Sequence, residues 1–316
     1  MSGNTYELGN EKIGLLIKKY YWPAFISVIV SALYNIVDRI FIGQGVGAVA
    51  LSGLTIVFPF MLIMMAFGML FGVGTGVMVS ISLGEKNTQK AERTLGNGFS
   101  MMLIVSVFIT LLILLIKNPM LKVFGATDET IQYANEYLMY ILPGVLFQVV
   151  GFSLNNVIRS EGNAKVAMYS MLISAGTNII LDPIFIFIFK MGVKGAALAT
   201  VISMIIMSVW VMSHFLKKRS VVEFHFKNMK LDYAIIKGIV GIGMAPFAMQ
   251  LASSLVQALL NTQLVRYGND IAVAANGVVM SVSQMIFMCI IAVNMATQPI
   301  IGFNYGARNF ARVKLT

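Results

Sequence analysis

Of the 316 residues, 58% are apolar and 11% are charged, and the mean hydropathy is +0.83. No water-soluble core hides that much apolar surface, so the length does not signal two soluble domains and the chain reads as a membrane protein. The net charge of +10 comes from bases gathered in short polar links, which argues for membrane topology and against nucleic-acid binding, and the single cysteine, Cys289, excludes an internal disulfide and a cysteine-based metal site.

The first dozen residues are polar and lack the pattern of a cleavable signal peptide. Eight apolar runs follow, over about 15–42, 53–83, 97–117, 134–158, 166–189, 195–216, 235–264 and 276–303. A helix needs roughly 20 residues to cross a bilayer, and in lipid it satisfies its own backbone. The shorter, alternating strands of a membrane barrel are not seen. The expected fold is therefore an all-α, polytopic membrane helical bundle.

Loop charge sets the orientation. With the N-terminus cytoplasmic, inside links carry 17 Lys and Arg and outside links five, with Arg39 left inside the first run. That bias predicts a multi-pass protein of the plasma membrane (prokaryotic inner membrane) with its N-terminus inside.

The longest polar link, 217–232, divides the chain. An internal repeat agrees with it. Pro23, Asp38 and AVALSG at 48–53 are echoed by Pro246, Asn261 and AVAANG at 272–277, at an offset of 223 to 224 residues. Six helices per unit point both copies the same way, a parallel repeat. The expected organisation is a complete six-helix N-lobe over 1–216, a cytoplasmic linker over 217–232, and the first two helices of a C-lobe over 233–316. By the same offset a full second lobe needs about 140 further residues, so the chain reads as part of a twelve-helix protein whose missing C-terminal helices are needed for full function.

Two acids lie deep in apolar runs. A lone acid in a spanning helix costs about 2.5–3.5 kcal/mol on insertion scales, so Asp38 and Asp182 each call for a function. Tyr34 and Asn35 share the face of Asp38, and Asn178 shares that of Asp182. Pro183 removes a backbone donor, which predicts a kink whose freed carbonyls suit a cation. Asn155, Asn156 and Thr200 are polar residues of neighbouring helices that complete the pocket or simply bond between helices. Two carboxylates held together out of water titrate as one unit and share a proton, and a sodium ion with oxygen ligands is the other occupant. Methionines of the second helix (Met61, Met64, Met65, Met69, Met78) fit either a promiscuous apolar cavity or lipid-facing filler. The polar face of the seventh helix, from Gln250 to Asn261, fits either the cleft between lobes or helix packing. His214 and His225 have no ligand-spaced partner and read as loop or interface residues.

Four segments in register carry a resemblance: YNIVDRIFIGQGVGAVALSGLTIVFP at 34–59, VIRSEGNAKVAM at 157–168, NIILDPIF at 178–185 and GVKGAALATVIS at 192–203. The chain resembles the multidrug and toxic compound extrusion (MATE) family, in its bacterial and archaeal branch, from the first to the eighth of twelve helices. The resemblance implies two six-helix bundles around a cleft that alternates between membrane faces. It implies export of cationic or amphipathic compounds in exchange for H⁺ or Na⁺. It assigns a cation site to Asp38, Asn178, Asp182 and Thr200, with Tyr34 and Asn155 or Asn156 as accessories and Pro23 as a point of bending. Some relatives carry an acid on the seventh helix, where this chain has Asn261, so that second site is not expected. No cofactor and no enzymatic chemistry are implied. The alternatives are a flippase of lipid-linked sugars, disfavoured by the lone intramembrane Arg39, and an inactive fragment. A membrane acyltransferase lacks the paired His and Asp that it needs.

Overall fold

The computed structural model describes residues 3–217, 219–268 and 270–316. Each apolar run forms a helix, and each helix extends the run at one or both ends. A short helix α1 (Gly3–Asn10) leads into α2 (Ile13–Gly45), α3 (Ala48–Gly84) and α4 (Thr88–Val123). The fourth crossing is made of α5 (Ile131–Ile141) and α6 (Val145–Ser160), joined by a 3₁₀ turn at Leu142–Gly144 where Pro143 lies. Then come α7 (Ala164–Pro183), α8 (Val193–Leu216), α9 (Tyr233–Tyr267), α10 (Asp270–Gly306) and α11 (Phe310–Leu315). Among the described residues there is no strand. Eight of these segments are long and apolar enough to cross a membrane. Successive crossings alternate, so the bundle has a near end, which carries α1, and a far end.

The repeat is written into the turns. Lys86 and Arg308 both take positive φ, 60° and 57°. Each precedes an asparagine that caps the next helix: Asn87 Oδ1 accepts from Lys90 N at 2.9 Å, and Asn309 Oδ1 accepts from Arg312 N at 3.4 Å. A left-handed backbone at a residue with a side chain is uncommon. Its recurrence at matching places marks α10 and α11 as copies of α3 and the start of α4.

The two copies meet through glycines. A Cβ on Gly84 would lie 2.0 Å from the Phe303 carbonyl, and one on Gly306 would lie 2.0 Å from the Ile81 carbonyl. The contact is reciprocal, as expected where a two-fold axis runs between α3 and α10. Gly74 against the Ile239 carbonyl (2.2 Å) and Gly243 against the Leu70 carbonyl (1.9 Å) bring α3 and α9 together in the same way. Spanning helices gain nothing by leaving lipid for each other's apolar faces, so close backbone approach at small residues supplies the attraction. The packing of α3 on α9 has its counterpart in that of α10 on α2.

Two near-end segments are tied down by side chains. The link after α8 lies on α4: Ser100 Oγ donates to Met229 O at 2.7 Å, Asn97 Oδ1 accepts from Asp232 N at 2.6 Å, and Arg93 pairs with Asp232 at 2.8 Å. Its start is held by buried Glu161, which accepts from Val221 N at 3.1 Å and from the Ser220 hydroxyl, and meets His214 Nε2 at 2.7 Å. At the other side α1 docks on the second copy. Arg312 donates to Glu11 O at 2.6 Å and to Asn304 Oδ1 at 3.0 Å, and Asn304 Nδ2 donates to Leu8 O at 3.0 Å. The end carbonyls of α1, orphaned as at any helix C-terminus, thus find donors on α10 and α11.

Two outcomes test this packing. Gly84→Val forces a side chain into the Phe303 carbonyl and should destabilise the bundle by at least the roughly 1–3 kcal/mol typical of overpacking, read as a lower Tm in detergent. Arg312→Ala should speed amide exchange in residues 3–11 while exchange in α3 and α4 stays as in the parent.

Candidate functional site

The site is built where α2 and α7 meet near the far end. Pro183 has no N–H, so the helix cannot close its last turn normally, and it widens into a π-helix at Ile184–Ile188, with Phe189 N bonded to Ile184 O at 2.9 Å. This widened turn stands where the sequence predicts a kink. The widened turn carries Ile186 onto Gly45 of α2, where a Cβ would lie 2.4 Å from Ile186 Cγ2, and Phe187 meets Phe41 edge-on at 6.0 Å. With the far ends stapled, Asp38 and Asp182 lie close enough for each carboxyl to act on the other.

Asn178, one turn before Asp182, bridges to α8: its Nδ2 donates to Asp182 Oδ1 and to Thr200 Oγ1, both at 3.3 Å. Asp182 and Asn178 are almost wholly buried. The bonds leave Asp38 Oδ1, Asn178 Oδ1 and Asp182 Oδ2 buried with no donor. Three such oxygens form an acceptor-only cluster. Two carboxylates in contact out of water repel unless a proton or a cation lies between them. The donor set is all oxygen, as a proton or a hard cation such as Na⁺ requires, and among the described residues no group of three or more His, Cys, Asp or Glu side chains is placed to hold a metal ion.

Tyr34 lies close to both acids. Sequence reasoning missed Tyr137 of α5, which is buried beside the acids. No periodicity singled it out, because its neighbours come from other helices. Asn155 and Asn156 are not brought to the acids. Asn155 Nδ2 donates to Ala167 O at 2.7 Å and to Ser170 Oγ at 2.6 Å, and its Oδ1 accepts from Arg159 at 3.2 Å. Asn156 Nδ2 donates to Phe152 O at 2.9 Å. Asn155 thus bonds across to α7, whereas the Asn156 bond stays within α6. Pro23 is buried in an unbroken α2, where its carbonyl accepts from Ser27 Oγ at 2.7 Å. Asn261, the repeat counterpart of Asp38, is spent on packing: its Nδ2 donates to Thr55 O at 3.1 Å and its Oδ1 accepts from Gln257 at 2.8 Å.

Beside the acids lies a cavity of about 300 Å³ between the two copies, bounded by Ser31, Tyr34, Asn35, Asp38, Arg39, Phe58, Tyr137, Gln148 and Gln250. Methionines dominate its apolar wall: Met61, Met64, Met65 and Met69 of α3 with Met171, Met204 and Met207. Met78 is not among them; it packs against Gly238 of α9. Thioether side chains repack readily around varied shapes.

The profile described as MatE matches residues 23–184 and 245–316. The chain belongs to the MatE family. It is 31% identical over 294 residues to the multidrug export protein MepA of Staphylococcus haemolyticus, covering 93% of this chain and 65% of that protein. MepA of Staphylococcus aureus strain NCTC 8325 is 31% identical over 292 residues, 92% of this chain and 64% of that one. The chain thus spans just under two thirds of the length of these curated relatives. The solved structure of the MATE multidrug transporter DinF-BH superposes at a TM-score of 0.94 with 37% identity, over 100% of this chain and 71% of that one. A transporter of the MOP superfamily from Pyrococcus furiosus superposes at 0.91 with 27% identity, over 99% and 69%. The MatE fold expected from the residues is therefore the fold found, and the relatives are named as exporters, not enzymes.

One measurement tests the acid pair. Asp182→Asn removes one of two facing charges and should raise Tm in sodium-free detergent buffer relative to the parent. A lowered Tm would mean that the carboxylates are not held in contact.

Proposed function

We propose that this chain carries the cation-coupling half of a multidrug antiporter. In this reading it exports cationic or amphipathic compounds in exchange for H⁺ or Na⁺. The observation that carries it is the cluster of three buried, donorless oxygens, on Asp38, Asn178 and Asp182, next to a methionine-walled cavity. The names of the relatives, multidrug export proteins and a MATE multidrug transporter, support the same reading.

The proposed roles follow from charge. Asp38 and Asp182 take the driving cation between them, Asn178 and Thr200 supply further oxygens, and Tyr34 and Tyr137 keep the cluster out of water. Cation entry cancels the repulsion across α2 and α7 and draws α2 toward the first lobe, with Pro23 as the point where a missing backbone bond lets it bend. The cavity then narrows and releases its contents. The proposed lobes are 1–216 and 233–316, joined by 217–232. With the N-terminus cytoplasmic, as loop charge favours, the glycine seam seals the inner end and the cavity lies toward the outside, an outward-facing state of an alternating-access cycle in the plasma membrane. Reciprocal linkage requires bound drug to weaken cation binding by the same factor. A sugar-lipid flippase would want several bases on the cavity, whose lining among the described residues holds one base, Arg39.

The test is export of a cationic dye from everted vesicles carrying this chain within a protein of the relatives' length, under an imposed proton gradient and then a sodium gradient. Asp38→Asn should abolish gradient-driven export, and full export by that variant would reject the assignment. The gradient that drives the parent names the ion.

A further inference from the structure

Arg39 follows Asp38 on α2, yet the two do not pair, because consecutive helical residues do not face each other. Among the described residues no carboxylate reaches ion-pair distance of its guanidinium. It makes one long hydrogen bond, from Nη1 to Thr55 Oγ1 at 3.4 Å, and lies 5.6 Å from the centre of the Phe58 ring. A guanidinium carries five N–H donors, so most remain unspent.

The surroundings keep that group in place. A Cβ on Gly277 of α10 would lie 2.6 Å from Arg39 Nη1 and 2.5 Å from Thr55 Oγ1, so the glycine leaves the room that the guanidinium fills. Arg39 lines two spaces at once: the methionine-walled cavity, and a mostly apolar groove of about 330 Å³ between α2, α3 and α10 that reaches Ile40, Val278 and Val282. The cavity wall therefore holds a guanidinium with spare donors as well as an acid with an unpartnered oxygen. A molecule that complements both carries charge of both signs.

We propose that Arg39 is a specificity-determining residue that seats the carboxylate of a zwitterionic amphiphile, while the cationic and aromatic parts lie toward the acids and methionines. This rests on the drug-export reading above and narrows its substrate class. Planar, bidentate pairing with carboxylate is what a guanidinium does best, and a partly dehydrated wall strengthens it. The exposed side groove gives a phospholipid phosphate the same chemistry from the bilayer.

The test uses this chain within a protein of the relatives' length, in nanodiscs of phosphatidylcholine, and one xanthene dye in two forms, free acid and methyl ester, with binding read by fluorescence polarisation. The parent should bind the acid about tenfold more tightly than the ester, the size expected of one charge-assisted pair. Arg39→Gln should bring the ratio to about one, and Arg39→Lys, which keeps the charge and loses the fork, to an intermediate value. Gly277→Ala, which crowds the guanidinium, should lower it as well. A ratio of one in the parent, or a ratio unchanged in Arg39→Gln, overturns the inference. So does a ratio that collapses when phosphatidylglycerol is added to the discs, because the guanidinium then belongs to lipid. Binding of the ester alone overturns the inference and leaves the export reading standing; binding of neither form removes both.

Discussion

Two like charges placed in contact out of water form an arrangement that is unstable until something positive joins it. Asp38 and Asp182 lie close together across α2 and α7, Asp182 wholly buried and Asp38 at the cavity wall, so they take that arrangement whenever both are ionised. Near ionic distances the repulsion in a poorly polarisable medium exceeds most single packing terms, so the backbone that holds the pair must be over-determined. It is so at the far end. A proline without a donor, a π-turn, a glycine without a side chain and an edge-on aromatic pair all act on the same few ångströms of α2 and α7. The same physics makes the site responsive. In the proposed mechanism, removal or arrival of one cation changes the force between the two helices that carry the acids.

Movement of that kind needs the rest of the bundle to stay together. Near the other end the two copies touch backbone to backbone at Gly84 and Gly306, and side chains tie α1 and the long link across the seam. Each of those segments precedes the first spanning helix of its own copy and docks on the other. The ties are hydrogen bonds to backbone carbonyls and a half-exposed ion pair, individually worth about 1 kcal/mol, which suits contacts that a rocking motion breaks and remakes. The far half is held differently. There the cavity separates the copies, and its methionine wall has no fixed shape to lose.

The polar groups divide along the same line. Asn155, Asn156, Asn261 and Glu161 have partners and behave as structural bonds. Asp38, Asn178 and Asp182 keep atoms without partners in the same kind of interior. A buried unpaired polar atom costs about 1–3 kcal/mol, so a cluster of three works against stability, and the proposed cation is what would offset that cost. Residue type does not separate the two groups, since asparagine is found in both.

What the sequence determined by itself was one-dimensional. Eight apolar runs fixed the helices, because lipid leaves the backbone no other solution. The acids stood out because their cost in a spanning helix is large, and the repeat stood out because Pro23 and Asp38 recur as Pro246 and Asn261. Asp38, Asp182 and Asn178 were legible from the residues themselves, whereas Thr200 was one of several polar candidates until the family resemblance picked it out, since the four lie on three helices far apart in the chain. The tertiary structure alone decided that α2 and α7 meet at the acids, that Tyr137 joins them, that Asn155 and Asn156 make their bonds elsewhere, and that Arg39 faces a cavity instead of its neighbour Asp38. The reason is that spacing along a helix tells which side chains share a face, whereas the partner of that face is set by where glycines and prolines let backbones approach.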